Sequence, residues 1–197
     1  MMICCLDLEG VLVPEVWINV ARKTGIKDLL LTTRDIPDYN VLMRYRLKIL
    51  KKHGLRLPDI QRVIARMRPL PGAKTFLNRL RARTQVIILS DTFYEFADPL
   101  MRQIGYPTLF CNRLKVAKSG LITGYKLRQS NGKEKAVRGL RKLGFEVRAA
   151  GDSYNDLTML KSANRGILFN PPAAIRRKYK RFPVTRTHAA LLKQLLK

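Results

Sequence analysis

Acidic residues are scarce in this chain, and past Asp156 there are none: 14 Asp and Glu stand against 39 Lys and Arg in 197 residues, a formal charge of +25. Solubility needs far less, so the imbalance raises nucleic acid or another anionic surface as a partner class. Its distribution argues against a polycationic tail. Residues 1–100 carry 17 basic and 10 acidic groups and residues 101–197 carry 22 and 4, so the excess leans C-terminal without forming one block. The densest run, Arg176-Arg177-Lys178-Tyr179-Lys180-Arg181, reads either as a phosphate-contacting patch or as a solvated helix face. Nucleic acid is therefore expected to bind only non-specifically, through the charge. Cysteine is sparse as well: Cys4 and Cys5 are adjacent and Cys111 is distant, which gives neither a disulfide framework nor a zinc-ligand spacing. No apolar run reaches the roughly 18 to 20 residues that span a bilayer. Asp7 and Glu9 interrupt the first apolar run before a signal-peptide core could form. These absences predict a soluble protein of the reducing cytoplasm with no membrane partner. Apolar residues are not lacking. At 46% they match an ordinary globular chain, and the length suits one core domain with a small insertion.

Four short apolar runs each stop in a polar cluster. Residues 2–8 end at Asp7-Leu8-Glu9-Gly10, residues 85–89 meet Ser90-Asp91-Thr92, residues 147–150 meet Gly151-Asp152-Ser153, and residues 166–169 meet Asn170-Pro171. Buried parallel strands that end at a ligand-binding edge have this pattern. Helical spacing fills the intervals: 72–83, where Phe76, Leu77 and Leu80 share a face, then 93–104, 133–143 and 156–163. The alternation predicts an α/β fold with a Rossmann-like core, a parallel sheet flanked by helices, whose sites gather at the carboxyl ends of the strands. Residues 16–23, 38–53 and 58–67 read as helices with no strand between them. They predict a small helical cap, residues 13–70, inserted after the first strand and leaving 1–12 and 71–197 as the core. Residues 112–128 hold two β-rich runs around Lys118-Ser119-Gly120 and predict a β-hairpin flap.

The polar clusters carry the chemistry. Asp7 and Glu9 stand one residue apart at a strand end, and a turn near Gly10 would let one face a metal and the other a leaving group; a solvated acidic turn is the competing reading. Carboxylates from two aligned strand ends, Asp7 and those of Gly151-Asp152-Ser153-Tyr154-Asn155-Asp156, can share one hard divalent cation. Mg²⁺ is the usual ion held by few carboxylates plus a substrate phosphate. Here the competing reading is a helix N-cap at Asp152 or Ser153. Ser90 offers a hydroxyl to phosphate oxygens, or caps the next helix. Lys133 reaches the same cavity as a point charge, or is one surface lysine among many.

In order along the chain, Asp7-Leu8-Glu9-Gly10-Val11, Ser90-Asp91 after an apolar run, Lys133, and Gly151-Asp152-Ser153-Tyr154-Asn155-Asp156 resemble the four motifs of the haloacid-dehalogenase phosphatase superfamily. The resemblance covers nearly the whole chain. The helical insertion looks like the small cap of phosphoserine phosphatases. The stretches 7–15, Thr32-Thr33-Arg34-Asp35-Ile36-Pro37-Asp38-Tyr39, 89–96 and 150–156 closely resemble the bacterial branch that pairs phosphoserine phosphatase with homoserine phosphotransferase activity.

The resemblance implies a residue-by-residue mechanism. Asp7 would attack the phosphorus of phosphoserine and form an aspartyl-phosphate. Mg²⁺ would be bound by Asp7, Asp152 and the backbone carbonyl of Glu9, with Asp156 and Asn155 on the metal side of the pocket. Ser90 and Lys133 would hold the phosphoryl oxygens, with Asp91 and Asn155 beside the substrate. Glu9 would protonate the departing oxygen and then activate water. Arg46 matches the family's carboxylate-binding arginine. Glu15 matches its ammonium-binding glutamate, at a spacing from Asp7 slightly short of the phosphatase pattern. A solvated helix residue and a helix-dipole partner are their competing readings. Most phosphatases of the superfamily have Asp where this chain has Glu9, and the extra methylene could let an acceptor hydroxyl such as that of homoserine compete with water. Two rival functions are a phosphatase for another small ester and a basic nucleic-acid-binding domain; oligomeric state is not readable.

Overall fold

The structure, a computed structural model, describes the whole chain except Arg34 and Pro37; both belong to the stretch 32–39 quoted for the resemblance and lie outside the described residues. In chain order the elements are β1 (Met2–Leu6), α1 (Val16–Thr24), α2 (Tyr39–Lys52), α3 (Leu57–Ala65), α4 (Ala73–Arg81), β2 (Gln85–Phe93), α5 (Tyr94–Gln103), β3 (Thr108–Val116), β4 (Ile122–Lys126), α6 (Gly132–Lys142), β5 (Glu146–Gly151), α7 (Leu157–Ser162), β6 (Arg165–Phe169), α8 (Ala173–Lys178), β7 (Val184–Thr185) and α9 (His188–Leu195). Short 3-10 turns cover Lys27–Leu30 and Tyr154–Asp156.

One seven-stranded sheet runs β4-β3-β2-β1-β5-β6-β7, parallel throughout except for the antiparallel edge β3–β4. The two-residue period of a strand sends the side chains of β1 to both faces. Cys4 and Leu6 join a cluster with Phe76, Leu77 and Leu80 of α4 and Leu191 and Leu195 of α9; Ile3 and Cys5 join another with Val137 of α6 and Met159 and Leu160 of α7. Helices therefore bury both faces, which is why β1 is apolar without a break. The chain builds β2 and β3 on one side of β1, then returns to place β5 on the other. Strand order reverses at β1, so the carboxyl ends of β1 and β5 open a crevice at a topological switch point. After β1 the chain leaves the sheet there to form α1, α2 and α3.

Three expectations need correction. β2 does not stop at Leu89 but continues through Ser90 and Asp91 to Phe93, with its register against β3 shifting between Leu89 and Phe93; α5 starts at Tyr94, so Ser90 caps no helix. β3 begins at Thr108 and pairs parallel with β2 before turning antiparallel with β4, so sheet and flap share one strand. The third concerns the chain after Phe169, where the sequence offers only the basic run as a possible helix face; α8, β7 and α9 follow with six, two and eight residues, too short for periodicity to register. Of the basic run, Arg176, Arg177 and Lys178 form the last turn of α8 and the rest follow it, with every basic side chain exposed. The three cysteines are free and buried, and burial pushes their thiols up to about 12. Among the described residues no helix is long and apolar enough to cross a membrane.

Candidate active site

Backbone comes first. Asp7 extends β1 by one ladder bond, its N–H donating to Ala150 O at 3.0 Å. The chain then closes a tight turn, with Leu12 N and Val13 N on Leu8 O and Gly10 N on Val13 O. Gly10 has φ +77°, and a Cβ there would stand 2.5 Å from Cγ of Asp152; its missing side chain lets the turn after β1 lie against the loop after β5. Gly151 serves the second loop in the same way, since a Cβ on it would meet Asp156 Cβ at 2.4 Å.

Asp7, Asp152 and Asp156 are all buried, and each offers an oxygen within 4.8 Å of the others. Lys133, at the start of α6 and buried, neutralises part of this charge: its Nζ lies 2.7 Å from Asp156 Oδ1, 2.9 Å from Asp7 Oδ1 and 3.6 Å from Asp91 Oδ2. A surface-lysine reading of Lys133 is thereby excluded. Burial opposes its charge, but Asp156, Asp7 and Asp91 together outweigh it and hold its pKa well above the ordinary lysine value. Asp7 is pushed well up by burial and by the Asp156 and Asp152 charges, against the pull of Lys133. Asp156 is the most committed of the three. Its Oδ1 takes the Lys133 bond and its Oδ2 accepts from Asp152 N at 3.0 Å and Ser153 N at 3.1 Å, so it shapes the loop that presents Asp152. Ser153 is also an N-cap, of the 3-10 turn; the capping and site readings of this loop hold together.

Ser90 is buried at the bend of β2, and its Oγ accepts from Thr92 N at 3.2 Å, which leaves its own proton to donate into the cleft. Asp91 lines the cleft beside it and accepts from Asn155 Nδ2 at 2.9 Å. This bond ties the end of β2 to the loop after β5.

The helical segment supplies the opposite wall, with Glu9, Glu15 and Arg46 lining the same cleft as Asp7, Ser90 and Lys133. Glu9 turns away from the aspartates, and its Oε2 accepts from Val16 N at 2.8 Å at the start of α1. Burial first, and then the charge of Glu15, push its pKa up from 4.5 to about 8, against Val16 N–H and Arg46. It is held protonated at neutral pH. Glu15 occupies the N-cap position of α1 but makes no side-chain cap bond. Arg46 on α2 is 6% exposed, so the solvated-helix reading fails. Its guanidinium stacks 4.6 Å from the Trp17 ring centroid, one Nη donates to Leu31 O at 2.9 Å, and its Nε has no partner. Among the described residues no carboxylate lies within ion-pair distance of it. Burial lowers its pKa to about 10, opposed by Glu9, Tyr39 and Glu15, so it stays charged at neutral pH.

Two contributors escaped the sequence reading. Tyr39 donates its hydroxyl to Asp91 O at 2.9 Å, and Asn112 Nδ2 donates to the same carbonyl at 3.1 Å. Together they hold the first turn of α2 and the root of the flap to the bend of β2. Burial pushes the Tyr39 phenol well up, so it remains a donor. No spacing along the chain announces contacts between residues 39, 91 and 112.

A fold with helices on both sheet faces, a carboxylate at the end of its first strand, and a lysine plus a second acidic loop converging on it defines a phosphoryl-handling α/β enzyme. Residues 1–164 match the haloacid dehalogenase-like hydrolase family, and the chain belongs to it. It is 56% identical over 197 residues to the phosphoserine phosphatase ThrH of Pseudomonas aeruginosa, spanning 100% of this chain and 96% of that protein. It is 54% identical over 195 residues to a phosphoserine phosphatase of Pseudomonas syringae pv. tomato, spanning 99% and 82%. A crystal structure of a phosphoserine phosphatase in apo form matches with a TM-score of 0.80 at 23% identity over 98% of each chain, a likeness of fold alone.

Proposed function

We propose that this chain is a phosphoserine phosphatase in which Asp7 carries the phosphoryl group between two displacements, with the helices of residues 13–70 acting as the cap over the site. An Asp7 oxygen attacks phosphorus while the bond from phosphorus to the serine oxygen breaks, and Glu9 gives its proton to that oxygen. Water then attacks the phosphorus of the aspartyl-phosphate, Glu9 takes a proton back, and phosphate leaves Asp7 free. A buried carboxyl whose pKa is raised to about 8, and which is therefore mostly protonated at neutral pH, suits the first of these proton transfers. Ser90 and Lys133 bind the phosphoryl oxygens and hold them in line with Asp7.

The donor set fits a hard cation: three buried carboxylates with oxygens mutually within 4.8 Å and one ammonium, paired with Asp7 and Asp156, to offset part of their charge. Asp7 and Asp152 would hold Mg²⁺, with Asp156 orienting the loop. Such an ion supplies charge that favours the ionised form of Asp7 and offsets its repulsion from phosphate.

The observation that carries the amino-acid part of this reading is Arg46, a buried guanidinium that faces the cleft with an unbonded Nε and, among the described residues, no ion pair. Leaving such a charge desolvated is costly unless a ligand completes it, and a carboxylate does so with parallel bonds. Glu15 on the same wall suits the ammonium, and the names of the relatives above point to the same substrate. Homoserine carries the same two groups, so Arg46 and Glu15 would also seat it as an alternative to water, making phosphotransfer a second activity of the site. A phosphate-release screen over small phosphomonoesters, with and without Mg²⁺ and with homoserine added, tests the reading. It expects Mg²⁺-dependent release from phosphoserine above all others, and phosphohomoserine when acceptor is present; equal rates on esters without a carboxylate would overturn the amino-acid part.

A further inference from the structure

The last helix sends one side chain back to the place where the chain leaves the sheet and re-enters it. His188, the first residue of α9, has its ring between Phe76 of α4 and Phe169 at the end of β6, with centroids 5.2 and 4.8 Å away. Its Nε2 lies 2.8 Å from the carbonyl oxygen of Val11, and its Nδ1 3.0 Å from that of Pro71. Val11 sits in the Leu8–Val13 turn that carries Glu9. Pro71 ends the returning segment, next to Leu70, whose N–H donates to Leu12 O at 2.9 Å. One imidazole thus spans both crossings between the sheet and the helical segment, and the Leu70–Leu12 bond joins them directly. A carbonyl oxygen only accepts, so the neutral ring donates to one of the two carbonyls at a time, and donation to both at once takes the imidazolium, with a proton on each nitrogen.

We propose that His188 is a positioning residue for the phosphoryl-transfer site: it clasps the outgoing chain at Val11 and the returning chain at Pro71, and so fixes the turn that aims Glu9 relative to Asp7. The inference rests on the function proposed above. The turn closes on backbone bonds around Gly10 at positive φ, buries Leu8, Val11, Leu12 and Val13, and is held at Glu9 by Val16 N; His188 adds the side-chain contact that ties its Val11 carbonyl to the returning chain at Pro71. A general acid must lie within hydrogen-bond reach of the leaving oxygen, and a displacement of about 1 Å can cost on the order of 10²-fold in rate. The aromatic pair on either side of the ring holds it in place for this task.

Two variants separate positioning from packing. His188→Phe keeps a ring between Phe76 and Phe169 and loses both bonds; His188→Gln keeps a donor that reaches one carbonyl at a time. With Mg²⁺ and phosphoserine, the Phe variant is expected to lose about tenfold in kcat with KM within about twofold, and the Gln variant to fall between it and wild type. Hydrogen exchange at the Leu12, Val13 and Leu70 amides should quicken in His188→Phe while the amides of β1 and β5 exchange as in wild type. Unchanged kcat in the folded Phe variant, or unchanged exchange at those three amides, would overturn the clasp. So would a loss of kcat accompanied by faster exchange throughout the sheet, the mark of a packing role. If the wild type released no phosphate from phosphoserine, the proposed function alone would fail. The kcat comparison would then be made on whichever phosphomonoester the wild type hydrolyses, with the same outcomes deciding the clasp.

Discussion

On the sheet side of the cleft the carboxylates of Asp7, Asp91 and Asp156 crowd around the ammonium of Lys133, with Asp152 beside Asp7 and Asp156, whereas on the helical side the guanidinium of Arg46 is buried with Glu9 and Glu15 nearby and, among the described residues, no ion pair. The sheet side is tied together by its own charges and backbone bonds, and its surplus of carboxylate is what a divalent cation would offset. On the proposed function, the helical side is completed by the substrate. On the function proposed above, the difference assigns labour: chemistry to the wall that is organised in advance, recognition to the wall whose buried charge has no counterion among the described residues. It also explains how one chemical centre can accept different esters across a fold family, since only the second wall need change.

Glu9 bridges the two walls, and removing its proton should have the largest effect among the predictions that sharpen this contrast. Glu9→Gln is expected to lower kcat for phosphoserine on the order of 10³-fold with little change in KM, as measured by steady-state phosphate release. Its pH behaviour carries a second reading. Because the folded carboxyl is raised from 4.5 to about 8, keeping it neutral costs stability progressively as pH climbs from 4.5 through about 8. Glu9→Gln removes that cost, so its Tm should exceed that of wild type at pH 9 and match it near pH 4. The acid step in wild type should also slow as pH rises past about 8.

Arg46→Ala should act on recognition alone. We expect kcat/KM for phosphoserine to fall about 10²-fold, with turnover of a phosphomonoester lacking a carboxylate changed by less than about twofold. Arg46→Lys should recover little, because a point charge cannot reproduce the paired donors. Equal losses on both substrates would erase the division between the walls. The smallest effect belongs to the strap between them: Tyr39→Phe removes the bond to Asp91 O and should raise KM about threefold to fivefold while leaving kcat near wild type.

The two walls also differed in how far the sequence disclosed them. Asp7, Ser90 and Asp152 stand where apolar runs end, and a strand that stops at a carboxylate or hydroxyl is visible from composition alone. Lys133 is one of 39 basic residues, and nothing local separates a lysine pointing into three carboxylates from one pointing into water; the resemblance singled it out and burial explains it. Arg46 lies on α2 next to Arg44 and Lys48, both exposed, so its burial depends on how that helix packs over Trp17. The extension of β2 through Ser90 to Phe93 was hidden because Ser and Asp signal turns, and here the register shift against β3 absorbs them within a strand. The C-terminal elements stayed dark for a different reason. α9 has eight residues, and it reaches the turn after β1 through the side chain of His188, in contact with carbonyls that no residue-type pattern can mark.

The central claim is that Asp7 itself carries the phosphoryl group. Enzyme mixed with phosphoserine and Mg²⁺, quenched in acid within the first turnover, digested and weighed by mass spectrometry, should show one phosphoryl group on the peptide spanning Asp7, absent from Asp7→Asn, which should also be inactive. Phosphate released at the wild-type rate by Asp7→Asn, or a phosphoryl group found on a different residue, would contradict the account.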